Sequence, residues 1–263
     1  MPGVNITAFV VAHNESHLLP ACLKSVSFCN EIILIDLESS DNITEVASSF
    51  NVKLFPHPRV AVVEELYCDI AFYATNEWVL IIDPDEEITE SLQNDIIKAI
   101  DFVHERTGTI SVPWQFYFKE KQLKGATWGG ISKKTLLVNT NRYLFTGEVH
   151  EKGKLKEGYS NFDIKFNGKN YIRHYWMKSY RQLAEKHKRY ILKEGERMFN
   201  NGTRYSNYKL LKNSANAFRY SYFIKKGYID GLKGFNLSVF WMWYVFNCWR
   251  SLAKYKHSQK QVD

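Results

Sequence analysis

Glu77-Trp78-Val79-Leu80-Ile81-Ile82-Asp83-Pro84-Asp85-Glu86 is the stretch that decides the fold. Residues 78–82 are apolar without interruption, which is the pattern of a strand buried on both faces. The run ends on two carboxylates one residue apart, and Pro84 between them fixes its own φ. Outward from this stretch the same pattern recurs. Residues 6–12 form a β-branched apolar run that ends at His13-Asn14-Glu15-Ser16. Residues 32–35 form another, ending at Asp36-Leu37-Glu38-Ser39-Ser40-Asp41. A shorter run covers 52–55.

Between these runs lie helical patterns. Leu18, Leu19, Cys22, Leu23 and Val26 recur three and four apart. Residues 44–50 suit a short helix and 64–74 a longer one. Residues 89–103 read as an amphipathic helix with Thr89 as its N-cap. Strands separated by helices of this length imply a parallel, doubly wound α/β sheet. Ligands bind such sheets outside the carboxyl ends of the strands, where the three polar clusters fall.

From 109 to 175 the pattern is mixed, with strand-like runs at 110–118, 135–138 and 171–174 broken by glycine-containing loops. This region is expected to supply the other side of a mixed sheet and an acceptor platform. After Tyr175 the chain reads as helical, basic and rich in aromatics, with helices expected over 179–198, 205–226 and 227–256. The expected division is therefore a catalytic domain over 1–176 and a helical region over 177–263. Within the first, the nucleotide-binding half covers about 1–105 and the acceptor half about 106–176.

The D-x-D pair carries the chemistry. Asp83 and Asp85 project together from a strand end, close enough to share one hard cation. Mg²⁺ and Mn²⁺ prefer oxygen ligands and bridge protein carboxylates to substrate phosphates. An ordinary acidic turn capping the next helix is the plainer alternative. Asp36 can accept hydrogen bonds from a nucleobase or a ribose hydroxyl, whereas Asp41 suits a helix cap. His174 is either a further ligand or a satisfied cleft residue. Trp114, Trp128 and Tyr117 suit either stacking on acceptor sugar rings or core packing.

These residues resemble family 2 glycosyltransferases of the GT-A fold, and within them the bacterial lipopolysaccharide-core glucosyltransferase-like group. The matching pieces are Val11-Ala12-His13-Asn14-Glu15 with Cys22-Leu23-Lys24-Ser25-Val26, and Glu31 through Asp36 with Ser39-Ser40-Asp41. The stretch 77–86 and Gly147-Glu148-Val149-His150-Glu151 complete them. The resemblance covers about residues 4–175. It implies an inverting transfer from a nucleotide-diphospho-sugar, with a UDP-sugar first, to a glycan or lipid-linked glycan hydroxyl. His13, Asn14, Glu15 and Asp36 would hold the donor nucleoside, with Asp83 near the ribose and metal. Asp85 would ligate Mn²⁺ or Mg²⁺, and His150 would reach metal or diphosphate. Glu151, then Glu148 or His150, would act as general base. The chain departs from the pattern at Glu38-Ser39 and around Trp128-Gly129-Gly130, where Lys133-Lys134 stand near a missing Arg.

Two other activities would leave different residues in the sequence. A sugar-nucleotide nucleotidyltransferase would carry a glycine-rich loop after the first strand, where this chain has His13-Asn14-Glu15-Ser16. A non-catalytic carbohydrate-binding protein would be expected to have lost one of Asp83, Asp85, His150 or Glu151.

Composition bounds the partners. The net charge of +7 favours anionic ligands, but no zinc spacing, RNP signature or basic heptad points to nucleic acid. Four cysteines without a CxxC pair are expected to be reduced thiols. No basic-plus-apolar leader opens the sequence, so a cytoplasmic location is expected, on the inner face of a membrane if peripheral. The segment 235–249 is nearly free of charge but shorter than the ~20 residues of a membrane span. With Arg250, Lys254 and Lys256 following, 235–256 is expected to lie as an interfacial helix at a membrane surface.

Overall fold

A computed structural model of the chain describes residues 4–60, 63–146 and 153–259. The chain forms two compact units: Met1–Trp114 with Ile131–His174, and Gln115–Gly130 with Tyr175–Asp263. The chain finally leaves the first unit after His174. The segment 115–130 was expected with the sheet and groups instead with the helices.

In the first unit, β1 (Val4–Ala12), β2 (Cys29–Asp36), β3 (Lys53–Pro56) and β4 (Trp78–Ile82) alternate with helices. The helices are α1 (Leu19–Ser25), α2 (Ile43–Ser48), α3 (Glu64–Tyr67) and α4 (Ile70–Tyr73). Along the chain then come β5 (Glu86–Ile88), α5 (Glu90–Phe102), β6 (Thr107–Phe118), β7 (Lys121–Gln122) and β8 (Ile131–Asn139), of which β7 and the end of β6 belong to the second unit. Short strands β9 (Tyr143–Leu144), β10 (Lys154–Leu155) and β11 (Ser160–Asp163) precede β12 (Ile172–Met177).

The sheet order is β3-β2-β1-β4-β8-β6-β12-β5. β1 pairs in parallel with both β2 and β4, whereas β4–β8 and β12–β5 are antiparallel. The order 3-2-1-4 reverses at β1, so its carboxyl end, between β2 and β4, is the topological switch point.

Alternation along the buried strands feeds two separate cores. Ile6, Ala8, Val10, Leu34, Leu80 and Ile82 pack with Leu19, Leu23, Ile43, Leu92 and Ile96 of α1, α2 and α5. Phe9, Ile33, Ile35, Val79 and Ile81 pack with Leu66, Tyr67 and Ile70 of α3 and α4. Helices on both faces explain why these strands read as continuous apolar runs.

Two local expectations change. The helix over 64–74 is broken into α3 and α4. Cys68 and Asp69 bond back three residues to Glu65 and Leu66, a tighter turn than the α-helix. Thr89 does precede α5, but its hydroxyl does not cap it. The hydroxyl donates to the Lys169 carbonyl at 2.9 Å and accepts from the Tyr171 amide at 3.1 Å. Tertiary bonds to the 169–171 segment displace the local one.

The second unit holds α6 (Tyr180–Asn200), α7 (Asn207–Arg219) and α8 (Gly231–Gln259). Ser179 and Ser206 cap α6 and α7, accepting from the amides of Gln182 and Lys209. The helix expected over 205–226 ends sooner, in a π turn over Tyr220–Ile224 and a 3₁₀ turn over Gly227–Asp230. Trp128, Trp176, His187 and Phe240 make its aromatic core. Among the described residues, no helix is long and apolar enough to cross a membrane.

Candidate active site at the carboxyl ends of β1, β2 and β4

Strand register builds the site. Ala12 lies beside Asp36, and Val10 beside Ile82. The residues that follow, 13–16, 37–42 and 83–86, therefore emerge side by side at the switch point.

The first two loops are bonded to one another. The Leu37 amide donates to the Ala12 carbonyl at 3.0 Å, and His13 Nδ1 donates to the Leu37 carbonyl at 2.6 Å. That bond leaves Nε2 to accept from Asn14 Nδ2 at 2.9 Å. Asn14 sits at φ 55°, a left-handed conformation that Asn tolerates better than most residues. From there its amide donates to Ser39 Oγ at 3.0 Å, and its Oδ1 accepts from the Ser40 amide at 2.7 Å. Asp36 Oδ1 accepts from the Ser39 amide at 2.9 Å. Asp41 accepts from the Ser16 amide at 2.8 Å, so this carboxylate ties the loops together; Asn42 stands at the N-cap of α2.

The third loop is organised by charge. Lys134 on β8 is buried between two carboxylates: its Nζ is 3.0 Å from Asp83 Oδ2 and bonded to Glu86 Oε2. The side chain of Glu86 is fully buried and that of Asp83 is 47% exposed, so of these two carboxylates Asp83 is the one that opens to solvent. Burial would lower the Lys134 pKa, but Asp83 and Glu86 outweigh it and raise it, holding the ammonium charged. His174 on β12 faces the other carboxylate, with Nε2 3.2 Å from Asp85 Oδ2. Trp114 stacks on His174 at 4.9 Å between centroids and 10° between planes. The same ring lies 5.5 Å from the Lys134 ammonium. Burial, with Asp85 and Asp83 nearby, raises the Glu15 pKa. Burial, with Asp83 nearby, raises the Glu86 pKa as well. Among the described residues, four carboxyl groups thus meet here, at Glu15, Asp83, Asp85 and Glu86, against one permanent cation, Lys134.

His13, Asn14, Glu15, Asp36, Asp83, Asp85, His174 and Trp114 all belong to the first unit. Tyr117 and Trp128 lie in the second, where Tyr117 packs on Tyr175 and Trp128 on Trp176. Glu148, His150 and Glu151 lie outside the described residues. Lys134 was missed as a site residue. Strand alternation offered the available signal, since of the adjacent lysines Lys133 is exposed and Lys134 buried.

The sequence matches Glycosyl transferase family 2 over residues 7–184, well over half of the chain. The chain belongs to glycosyltransferase family 2. Its mixed sheet with carboxyl-end loops is the GT-A fold expected of that family, and the chain is a glycosyltransferase. An uncharacterized glycosyltransferase of Rickettsia prowazekii is 26% identical over 242 residues, 89% of this chain and 82% of the relative. One from Rickettsia felis is 26% identical over 260 residues, 96% of this chain and 90% of the relative. Among solved structures, Staphylococcus aureus TarS 1–349 is similar at TM-score 0.48 and 13% identity, over 99% of this chain and 92% of that one. The Pyrobaculum calidifontis mannosyltransferase PcManGT, solved with GDP-Man and Mn²⁺, is similar at TM-score 0.36 and 17% identity. That match covers 41% of this chain and 35% of that one.

Proposed function

We propose that this family 2 glycosyltransferase is an inverting, metal-assisted enzyme. It would move a sugar from a nucleotide-diphospho-sugar, a UDP-sugar first, to a hydroxyl of a glycan or lipid-linked glycan such as a surface polysaccharide. The observation that carries this reading is the surplus of carboxylate at the switch point, opened to solvent through Asp83 and Asp85.

A divalent cation fits that surplus. Among the described residues, no group of three or more His, Cys, Asp or Glu side chains forms a complete metal set. A cation held by one or two carboxylates and completed by substrate phosphates needs no such set. Mn²⁺ or Mg²⁺ would be held by Asp85 and Asp83, with His150 as the further ligand assigned by the family resemblance. When bound, the ion neutralises charge that develops on the departing diphosphate.

The remaining work falls to the chain. Asp36 accepts from the base or ribose, and the bonded loops at 13–16 and 37–42 fix where that acceptor points. Lys134 holds the Asp83 carboxylate in place through a bond anchored on buried Glu86. Trp114 is the aromatic side chain of this unit offered to the acceptor sugar. Glu151 takes the acceptor proton as the hydroxyl oxygen attacks the anomeric carbon from the face opposite the diphosphate; Glu148 and His150 are the next assignments.

The test is transfer from a panel of UDP-, GDP-, dTDP- and CMP-sugars to glycan acceptors, with the product anomer read by NMR. One donor used with inversion, and lost with chelator, supports the proposal. A product that retains the donor's configuration, or full turnover in chelator, refutes the mechanism.

A further inference from the structure

Residues 220–235 read Tyr-Ser-Tyr-Phe-Ile-Lys-Lys-Gly-Tyr-Ile-Asp-Gly-Leu-Lys-Gly-Phe and cover the turns between α7 and α8 together with the first turn of α8. A helix–helix turn is ordinarily polar. This one displays Phe223, Ile224, Tyr228, Ile229 and Leu232, which are 58, 53, 51, 49 and 76% exposed. Isolated exposed apolar side chains need no explanation, but a contiguous cluster marks an interaction surface.

The turn is a built structure. Lys226 takes a left-handed φ of 53°. A Cβ on Gly125 would lie 2.1 Å from the Lys226 carbonyl oxygen, and one on Gly234 would lie 1.8 Å from that of Gly227. Ser221 and Ser238 join their hydroxyls at 2.9 Å beneath it. The carboxylate of Asp230 accepts from the Lys124 amide at 3.0 Å and from the Gly125 amide at 2.7 Å. The apolar side chains are therefore presented by a packed scaffold.

The surrounding charge is mainly positive. The turn and the 119–124 hairpin docked on it carry lysines at 119, 121, 124, 225, 226 and 233, against Glu120 and Asp230. Asp230 is spent on backbone amides. Partial burial lowers the Lys233 pKa, and repulsion from Lys121 and Lys119 adds to it.

We propose that this turn docks the protein on an anionic lipid bilayer, its apolar side chains entering the headgroup layer and its lysines binding lipid phosphates. A second copy of the chain would set the same lysines against one another, a like-charge arrangement that disfavours pairing. The aromatic stretch of α8 is a poorer candidate. Leu237, Cys248, Trp249 and Leu252 are buried, and the aromatics between are half-buried. The membrane contact expected over 235–256 thus moves toward the start of that helix. This surface belongs to the second unit alone, so its failure would leave the glycosyltransferase assignment intact.

The full chain is sedimented with phosphatidylglycerol–phosphatidylcholine vesicles and with phosphatidylcholine alone, and its mass is measured without lipid. Binding is expected to the anionic vesicles and to weaken at least tenfold between 0.1 and 0.5 M salt, roughly one decade for a few lysine contacts. Phe223→Ser with Leu232→Ser, and separately Lys225→Glu with Lys226→Glu, should each weaken it at least tenfold while helical content and melting midpoint stay unchanged. Wild-type protein left in the supernatant, or binding indifferent to both double variants, overturns the proposal. So does a dimer that Phe223→Ser with Leu232→Ser converts to monomer, since a second copy would then cover these apolar side chains.

Discussion

Two parts of one site hold themselves together by different means. The loops after β1 and β2 are joined by short hydrogen bonds, mostly between neutral groups, such as His13 to Leu37 at 2.6 Å and Asn14 to Ser40 at 2.7 Å. The turn after β4 is held by the Lys134 ammonium between Asp83 and Glu86, with His174 Nε2 against Asp85. The first arrangement fixes the backbone of both loops. Among the described residues, the second gathers four carboxyl groups around one permanent cation, Lys134. That difference predicts that one region fails by losing shape and the other by losing charge.

The largest effect should come from Lys134→Met. Removing the ammonium leaves Glu86 buried beside Asp83, a loss of about 3–5 kcal/mol in urea unfolding. Lys134→Met combined with Glu86→Leu should recover most of it, because no buried charge is then stranded. A single variant as stable as wild type would break the comparison. Asp85→Asn comes next: activity should fall on the order of 10²–10³-fold, the size of losing one electrostatic stabiliser. Its melting midpoint should hold, since Asp85 is partly exposed. If the midpoint falls in step with activity, Asp85 is structural.

Glu31 tests charge toward the other end of the same strands. Lys53, Thr7 and Thr75 outweigh its burial and hold its carboxyl down to about 2 from the ordinary 4.5. A depressed carboxyl pKa contributes stability that is complete above pH 4.5 and is lost as pH falls toward 2. Glu31→Gln should cost about 1.5–3 kcal/mol at neutral pH and flatten that acid slope. An unchanged slope would show that other carboxylates set it. The smallest effect is expected from Asn14→Ala, about 1–2 kcal/mol for lost bonds and a strained left-handed φ. Asn14→Gly should recover part of that by relieving the backbone. Equal losses in both would place the whole effect on the side chain.

Much of this was legible in the sequence, for a local reason. A strand buried on both faces writes a continuous apolar run, and its end is marked by the first polar residues, so residues 13–16, 36–41 and 83–86 could be read as neighbours. Lys134 could not. It lies 51 residues from Asp83, and what brings it there is the antiparallel pairing of β8 on β4, which no local pattern records. Thr89 misled for the same reason, since its hydroxyl serves residues 169–171. The segment 115–130 read as sheet because part of it is strand; its grouping with the helices follows from packing of Phe118, Leu123 and Ala126 on Leu183 and Leu237. The turn at 220–235 hid inside helical periodicity.

The central claim is that Asp83 and Asp85 take a nucleotide-sugar together with a divalent cation. It is tested most directly by thermal shift of wild-type protein and Asp85→Ala across a panel of nucleotide-diphospho-sugars, with and without Mn²⁺. A ligand that binds the native state raises the midpoint by mass action. The expected result is a rise with one donor that requires Mn²⁺ and vanishes in Asp85→Ala, whose own midpoint matches wild type. A folded wild-type protein that no donor shifts, or a shift of equal size in Asp85→Ala, would contradict it.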